Sequence, residues 1–167
     1  GARTKSLVAA AVEVDVDDKG FGRAKLRRIP NADRSTLKEF VDATIAKGSS
    51  VLTDGWAGYG GNAIQGKAHH PINVKQSGRD AHQVLPAVHR VFALLHRVLL
   101  GTYQGAVRPK HLDAYLAEFE FRFNRRHAAS RTLLFQRALS CAVAAKPPEY
   151  WRLVGRTSPR VPLPTAA

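Results

Sequence analysis

Asp54 is the residue of this chain best placed to do chemistry. It follows the short apolar run Ser50-Val51-Leu52-Thr53 and precedes Gly55-Trp56, so a carboxylate stands at the C-terminal end of a strand. A rigid strand end that aims an acidic side chain into open space is where a hard divalent cation is commonly held through oxygen. Two such cations about 4 Å apart can activate an attacking oxygen and stabilise a leaving one in phosphodiester chemistry. Taken alone the signal is weak, because an Asp before Gly at a strand end is more often a turn residue. The seven histidines (His69, His70, His82, His89, His96, His111 and His127) lack the short paired spacing and thiolate partners of structural zinc sites. The single cysteine, Cys141, lies among Ala142, Val143 and Ala144 and is expected to be a small buried hydrophobe.

Charge points to a polyanion. The formal net charge is +13, far above what solubility needs, and nucleic acid is the leading partner class. Residues 1–80 hold 13 basic and 9 acidic groups, whereas residues 81–167 hold 13 and 4, so phosphate contacts should concentrate in the second half. No apolar run of roughly 18 residues is available to span a bilayer, and the start of the chain does not have the pattern of a signal peptide, so a soluble, cytoplasmic protein is expected.

Several elements must position these groups. Residues 6–16 begin as a continuous apolar run and then alternate, as in a strand buried at a sheet centre. Asp17-Asp18-Lys19-Gly20 supplies a turn and Phe21 to Ile29 alternates again, which predicts an antiparallel hairpin. Asp15, Asp17 and Asp18 are accounted for by that alternation and turn. Thr36 and Glu39 have capping-box spacing ahead of a helix carrying Leu37, Phe40, Val41, Thr44 and Ile45 on one face and closed near Gly48. Residues 57–81 read as loops around a weak helix near 61–66 and a short strand at 72–74. Pro86 opens a helix with an apolar stripe from Val88 to Leu99, opposite His89, Arg90, Ala93, His96 and Arg97. Pro109 starts another with Leu112, Tyr115, Leu116, Phe119 and Phe123 inward, and a last one runs from about Ser130 to Ala144 before a Pro-rich tail. This order predicts an α/β domain with a small mixed sheet and flanking helices over residues 1–146, then a tail over 147–167.

Thr53-Asp54-Gly55-Trp56-Ala57-Gly58-Tyr59 resembles the second-aspartate motif of DDE-type insertion-sequence transposases. Leu85 to Arg97 is similar to that family's third-residue helix, and Gly101 to Val107, Pro109 to Leu112 and Glu118 to Arg126 are similar to its C-terminal helices. The likeness runs from about Lys5 to Ala144. It implies a ribonuclease H-like fold and Mg²⁺- or Mn²⁺-dependent cleavage and strand transfer of DNA, acting on transposon ends and target. It also implies a homo-oligomer on the nucleoid, with no membrane or small-molecule substrate.

Carried over by position, Asp54 is the second metal-binding aspartate, and the third acidic place, 35 residues on, is held by His89. Histidine brings no negative charge and suits softer ions, although a place in the first helical turn also favours phosphate. The family's DNA-gripping basic residue falls on His96, with Arg97 beside it. Arg122, Asn124, Arg125, Arg126 and Arg131 are further DNA-contact candidates. The family's first aspartate belongs on a strand preceding Ser6–Val16, so the chain is expected to lack that strand and to leave Leu7, Ala9 and Ala11 exposed. Two readings stay open: an enzyme domain, and a catalytically dead remnant that only binds DNA.

Overall fold

The structure, a computed structural model, describes residues 5–14, 20–105 and 107–154. The chain divides into two compact units, Gly1–His127 and Ala128–Ala167.

The first unit opens with strands β1 (Leu7–Val14) and β2 (Phe21–Ile29), paired antiparallel with Leu7 opposite Ile29 and Val12 opposite Ala24. The continuous apolar run of β1 is explained by cover on both faces. Ala9 enters a core made by Ile29, Leu37, Phe40, Val41, Val51, Ala63 and Ile64, with Ala11 packed against it. Val8, Ala10 and Val12 point the other way, toward a second core of Ala24, Leu26, Val91, Leu95, Leu112, Leu116, Phe119 and Phe123. The hairpin is thus a central layer between helices. Of the three apolar residues expected to be exposed, only Leu7 is, since Ala9 and Ala11 lie under the first helix layer.

Helix α1 spans Arg34–Thr44 and begins earlier than its expected cap. Asp33 is the N-cap: its carboxylate accepts from the Thr36 N–H at 2.9 Å and the Ser35 hydroxyl at 3.0 Å, which holds it below the ordinary carboxylate pKa. Thr36 instead donates its hydroxyl to Asn31 Oδ1 at 2.8 Å, and Glu39 pairs with Arg27 at 2.7 Å, so the expected Thr36–Glu39 box does not form. Asp42 of the same helix meets both Lys38 and Lys67, and these two ammonium groups lower its pKa.

Strand β3 (Ser50–Thr53) pairs in parallel with β4 (Ala68–Pro71), giving a second two-stranded sheet separate from the hairpin rather than one mixed sheet. The strand expected at 72–74 therefore lies earlier. The Ile72 N–H still donates to Thr53 O at 2.9 Å, but Asn73 Oδ1 accepts from Gln76 N at 3.3 Å and turns the chain into α2 (Val74–Ser77). The weak helix expected near 61–66 is a series of turns that buries Ala63 and Ile64, preceded by a 3₁₀ turn at Ala57–Tyr59.

Helix α3 (Ala81–Val84) leads into α4 (Pro86–Gly101), which buries Ala87, Val91 and Leu95 and packs on β1 and α3. A 3₁₀ turn at Pro109–His111 precedes α5 (Leu112–Phe123), which packs on β2.

The second unit holds α6 (Arg131–Ala144), capped by Ser130 Oγ accepting from Leu133 N at 3.3 Å, and α7 (Tyr150–Val154). Helix α7 lies within the stretch read as a Pro-rich tail over 147–167. No residue of α6 is buried, so Cys141 is exposed rather than a core residue. The Asp15, Asp17 and Asp18 turn and the Pro159–Pro164 stretch lie outside the described residues. Among the described residues no helix is long and apolar enough to cross a membrane.

Candidate active site and nucleic-acid surface

Asp54 leaves the end of β3 exposed to solvent, as its position in the sequence suggested. Its Oδ1 accepts from the Trp56 N–H at 3.1 Å, an Asx turn that orients the carboxylate and leaves Oδ2 for a ligand. The turn needs Gly55, whose φ is +73° and where a Cβ would press on Ile72 O at 3.3 Å. Beneath it Thr53 is buried, with its hydroxyl 2.9 Å from His69 Nε2 and accepting from Gly55 N at 3.4 Å. Trp56 donates its indole N–H to Ala32 O at 3.1 Å, which ties the loop to the start of α1. Tyr59 lies close enough that, after burial, the Asp54 charge is the second cause raising its phenol pKa.

Gly58 fixes this loop sterically. A Cβ there would come within 2.7 Å of Ala32 O, 2.7 Å of Leu37 Cδ1 and 2.8 Å of Trp56 Nε1. Gly58→Ala is therefore expected to destabilise the fold by about 1–3 kcal/mol, as overpacking does. Thermal unfolding checks this, and a melting temperature equal to wild type would show that the loop is not held as described.

His89 lies in the first turn of α4, exposed, with its N–H donated to Leu85 O at 3.2 Å. His96 and Arg97 are exposed on the same helix. Asp54 thus belongs to the β3–β4 sheet and the other three to the helix on the hairpin. Among the described residues no group of three or more His, Cys, Asp or Glu side chains converges on a possible metal.

The basic end of α5 divides into two kinds of residue. Arg122 is exposed, and its side chain pairs with Glu118, one helical turn back, at 3.2 Å. Asn124 faces inward: its Oδ1 accepts from Ala24 N at 2.7 Å and its Nδ2 donates to Ala24 O at 2.9 Å. Arg126 donates to the carbonyls of Phe21, Gly22 and Phe123 and lies 4.1 Å above the Phe123 ring. Arg125 stacks on Phe121 at 4.1 Å and donates to its carbonyl at 3.3 Å. Asn124 and Arg126, both DNA-contact candidates by sequence, spend their hydrogen bonds on the outer edge of β2. Arg131 is the exposed first residue of α6.

Sequence reasoning missed Glu120, which is buried and accepts from Leu26 N–H and, at 2.9 Å, from Lys25 Nζ. A signal was present: Glu120 and Asn124 stand four residues apart among Leu116, Phe119 and Phe123. Polar residues inside an apolar helical face usually have a buried partner.

The family model of the ISXO2-like transposase domain matches residues 1–124, which includes Asp54, His89 and the whole of α5. No curated protein and no solved structure matches the chain significantly. The ordered motifs around Asp54 and His89 agree with that match, and the chain belongs to the ISXO2-like transposase domain family of DDE-type insertion-sequence transposases.

Proposed function

We propose that this chain is the DNA-processing domain of a transposase, built on a ribonuclease H-like plan, which cleaves element ends and transfers them to target DNA. The observation that carries this reading is the Asp54 carboxylate, exposed at a strand end, oriented by one oxygen and open at the other, inside a family-matched stretch. Asp54 fits a hard divalent ion such as Mg²⁺ or Mn²⁺ as one carboxylate ligand. Such ions commonly take one or two protein carboxylates and complete their shell with water and substrate phosphate. His89 would be a neutral second donor. These donors suit an ion assembled together with DNA, not a preformed two-ion cage.

When bound, the ion would polarise the scissile phosphate and stabilise the leaving 3′ oxygen. The chain's own part is to orient and attract. The Asx turn holds Asp54 in one rotamer, and the Gly55 turn keeps backbone bulk away from the approach. His89 at the start of α4 and His96 can donate to phosphate oxygens, and Arg97, Arg122 and Arg131 offer exposed cations to the DNA backbone. The reading includes a homo-oligomer that holds two ends together, and a cytoplasmic, nucleoid-associated location.

A second reading, a DNA-binding remnant without activity, is favoured by the neutral His89 in a place where a carboxylate serves the chemistry. One assay separates the two. Supercoiled DNA bearing the element ends should be nicked and joined by the full transposase in Mg²⁺ or Mn²⁺, and not by its Asp54→Ala variant. Salt-dependent binding indifferent to divalent ions, with no cleavage, would establish the remnant. Cleavage retained by Asp54→Ala would sink the active-site assignment.

A further inference from the structure

A groove of about 840 Å³ lies between the start of β2, the first half of α4 and the end of α5, within the range of small-ligand sites. Its floor is apolar, from Phe21, Leu94 and Phe123, and its rim carries Arg90, Arg126 and His127. Among the described residues no carboxylate lines it. Glu13, close to Gly22, has its Oε2 taken by the Arg23 N–H at 2.9 Å.

The rim side chains differ in how they are held. Arg126 is fixed flat on Phe123 by three backbone carbonyls, which orient the guanidinium without neutralising it. A planar cation ordered in advance loses little entropy on binding a phosphate or on stacking beneath a base. Arg90 and His127 are exposed, and neither side chain has a hydrogen bond or ion pair among the described residues. Arg90 and Leu94 stand one turn apart on α4, so cation and apolar floor face the same side.

We propose that this groove takes an unpaired nucleotide of a DNA strand, with the base against Phe21 and Leu94 and over the Arg126 guanidinium that covers Phe123, and the flanking phosphates at Arg90, Arg126 and His127. Duplex DNA would supply the phosphates but keep its bases stacked away from the floor, whereas an unpaired base can use both surfaces. The inference rests on the DNA reading above, and it is independent of Asp54.

The test is fluorescence anisotropy on the full chain, using a labelled oligothymidylate of about 12 nucleotides, an abasic strand of equal length and a duplex. Wild type should bind the abasic strand at least about fivefold more weakly than oligothymidylate. Arg90→Ala and His127→Ala should each weaken oligothymidylate binding about fivefold, and Arg90→Ala should also lower the salt slope by about one. Both positions are on the surface, so a circular-dichroism melt should stay at wild type. Equal affinity for abasic and base-bearing strands, or wild-type affinity in both variants, overturns the groove while duplex binding keeps the DNA reading. Absence of binding to every DNA overturns both.

Discussion

Asp54→Asn is expected to reduce strand transfer by the full transposase at least about 100-fold while leaving folding and DNA affinity unchanged. The substitution is nearly isosteric. An asparagine Oδ1 can still accept the Trp56 N–H, so the Asx turn and the positive φ of Gly55 should survive. Lost is the negative charge that would attract a divalent ion. Changing groups that only orient metal ligands commonly costs 10–100-fold in affinity or activity, so loss of a ligand's own charge should cost about as much or more. Because the side chain is exposed, the melting temperature should barely move, as for most surface substitutions. The measurement is the yield of joined product on supercoiled DNA beside a duplex-binding titration. Joined product above roughly a tenth of wild type would remove Asp54 from the chemistry. A parallel loss of binding would instead make it part of the DNA-contact surface.

The elements that were legible in the sequence are those whose burial follows a local period. Phe21–Ile29, Ser50–Thr53 and Pro86–Gly101 lie where alternation, strand length and the proline at a helix start put them. The strand β1 was legible from its unbroken apolar run, but the cover that α1 gives Ala9 and Ala11, which were expected to be exposed, was not. What could not be read depends on contacts distant in sequence. Nothing in Ala68-His69-His70-Pro71 has strand character, and it pairs because Thr53 receives the His69 ring and the Ile72 N–H. Asp33 won the capping contest because its carboxylate reaches Thr36 N while the Thr36 hydroxyl is drawn to Asn31. At the candidate site the location of Asp54 followed from the strand end alone, but the tethering of its loop by Trp56 and Gly58 to Ala32 is a tertiary fact.

The same distinction separates Asn124 from Arg122, which the sequence treats alike as polar residues at a basic helix end. Asn124→Ala should destabilise the protein by about 2–4 kcal/mol, since it unpairs both the N–H and the C=O of Ala24, a residue 2% exposed. For a unit of this size that is a fall in melting temperature of roughly 5–15 °C. Asn124→Asp should recover only part, because a carboxylate can accept from Ala24 N–H but opposes Ala24 O. Below the melting range, DNA affinity of Asn124→Ala should equal wild type, whereas Arg122→Ala should weaken it and leave stability nearly unchanged. Helix α5 closes the outer edge of β2 with side chains where another strand would use backbone. Glu120 takes the Leu26 N–H, Asn124 takes both groups of Ala24, and Arg126 takes the carbonyls of Phe21 and Gly22. An edge closed in this way offers no template for pairing with another chain. Asn124→Ala should therefore also raise the tendency to aggregate near the melting temperature, measurable by light scattering. An unchanged melt together with lost DNA binding would reverse the assignment and return Asn124 to the DNA surface.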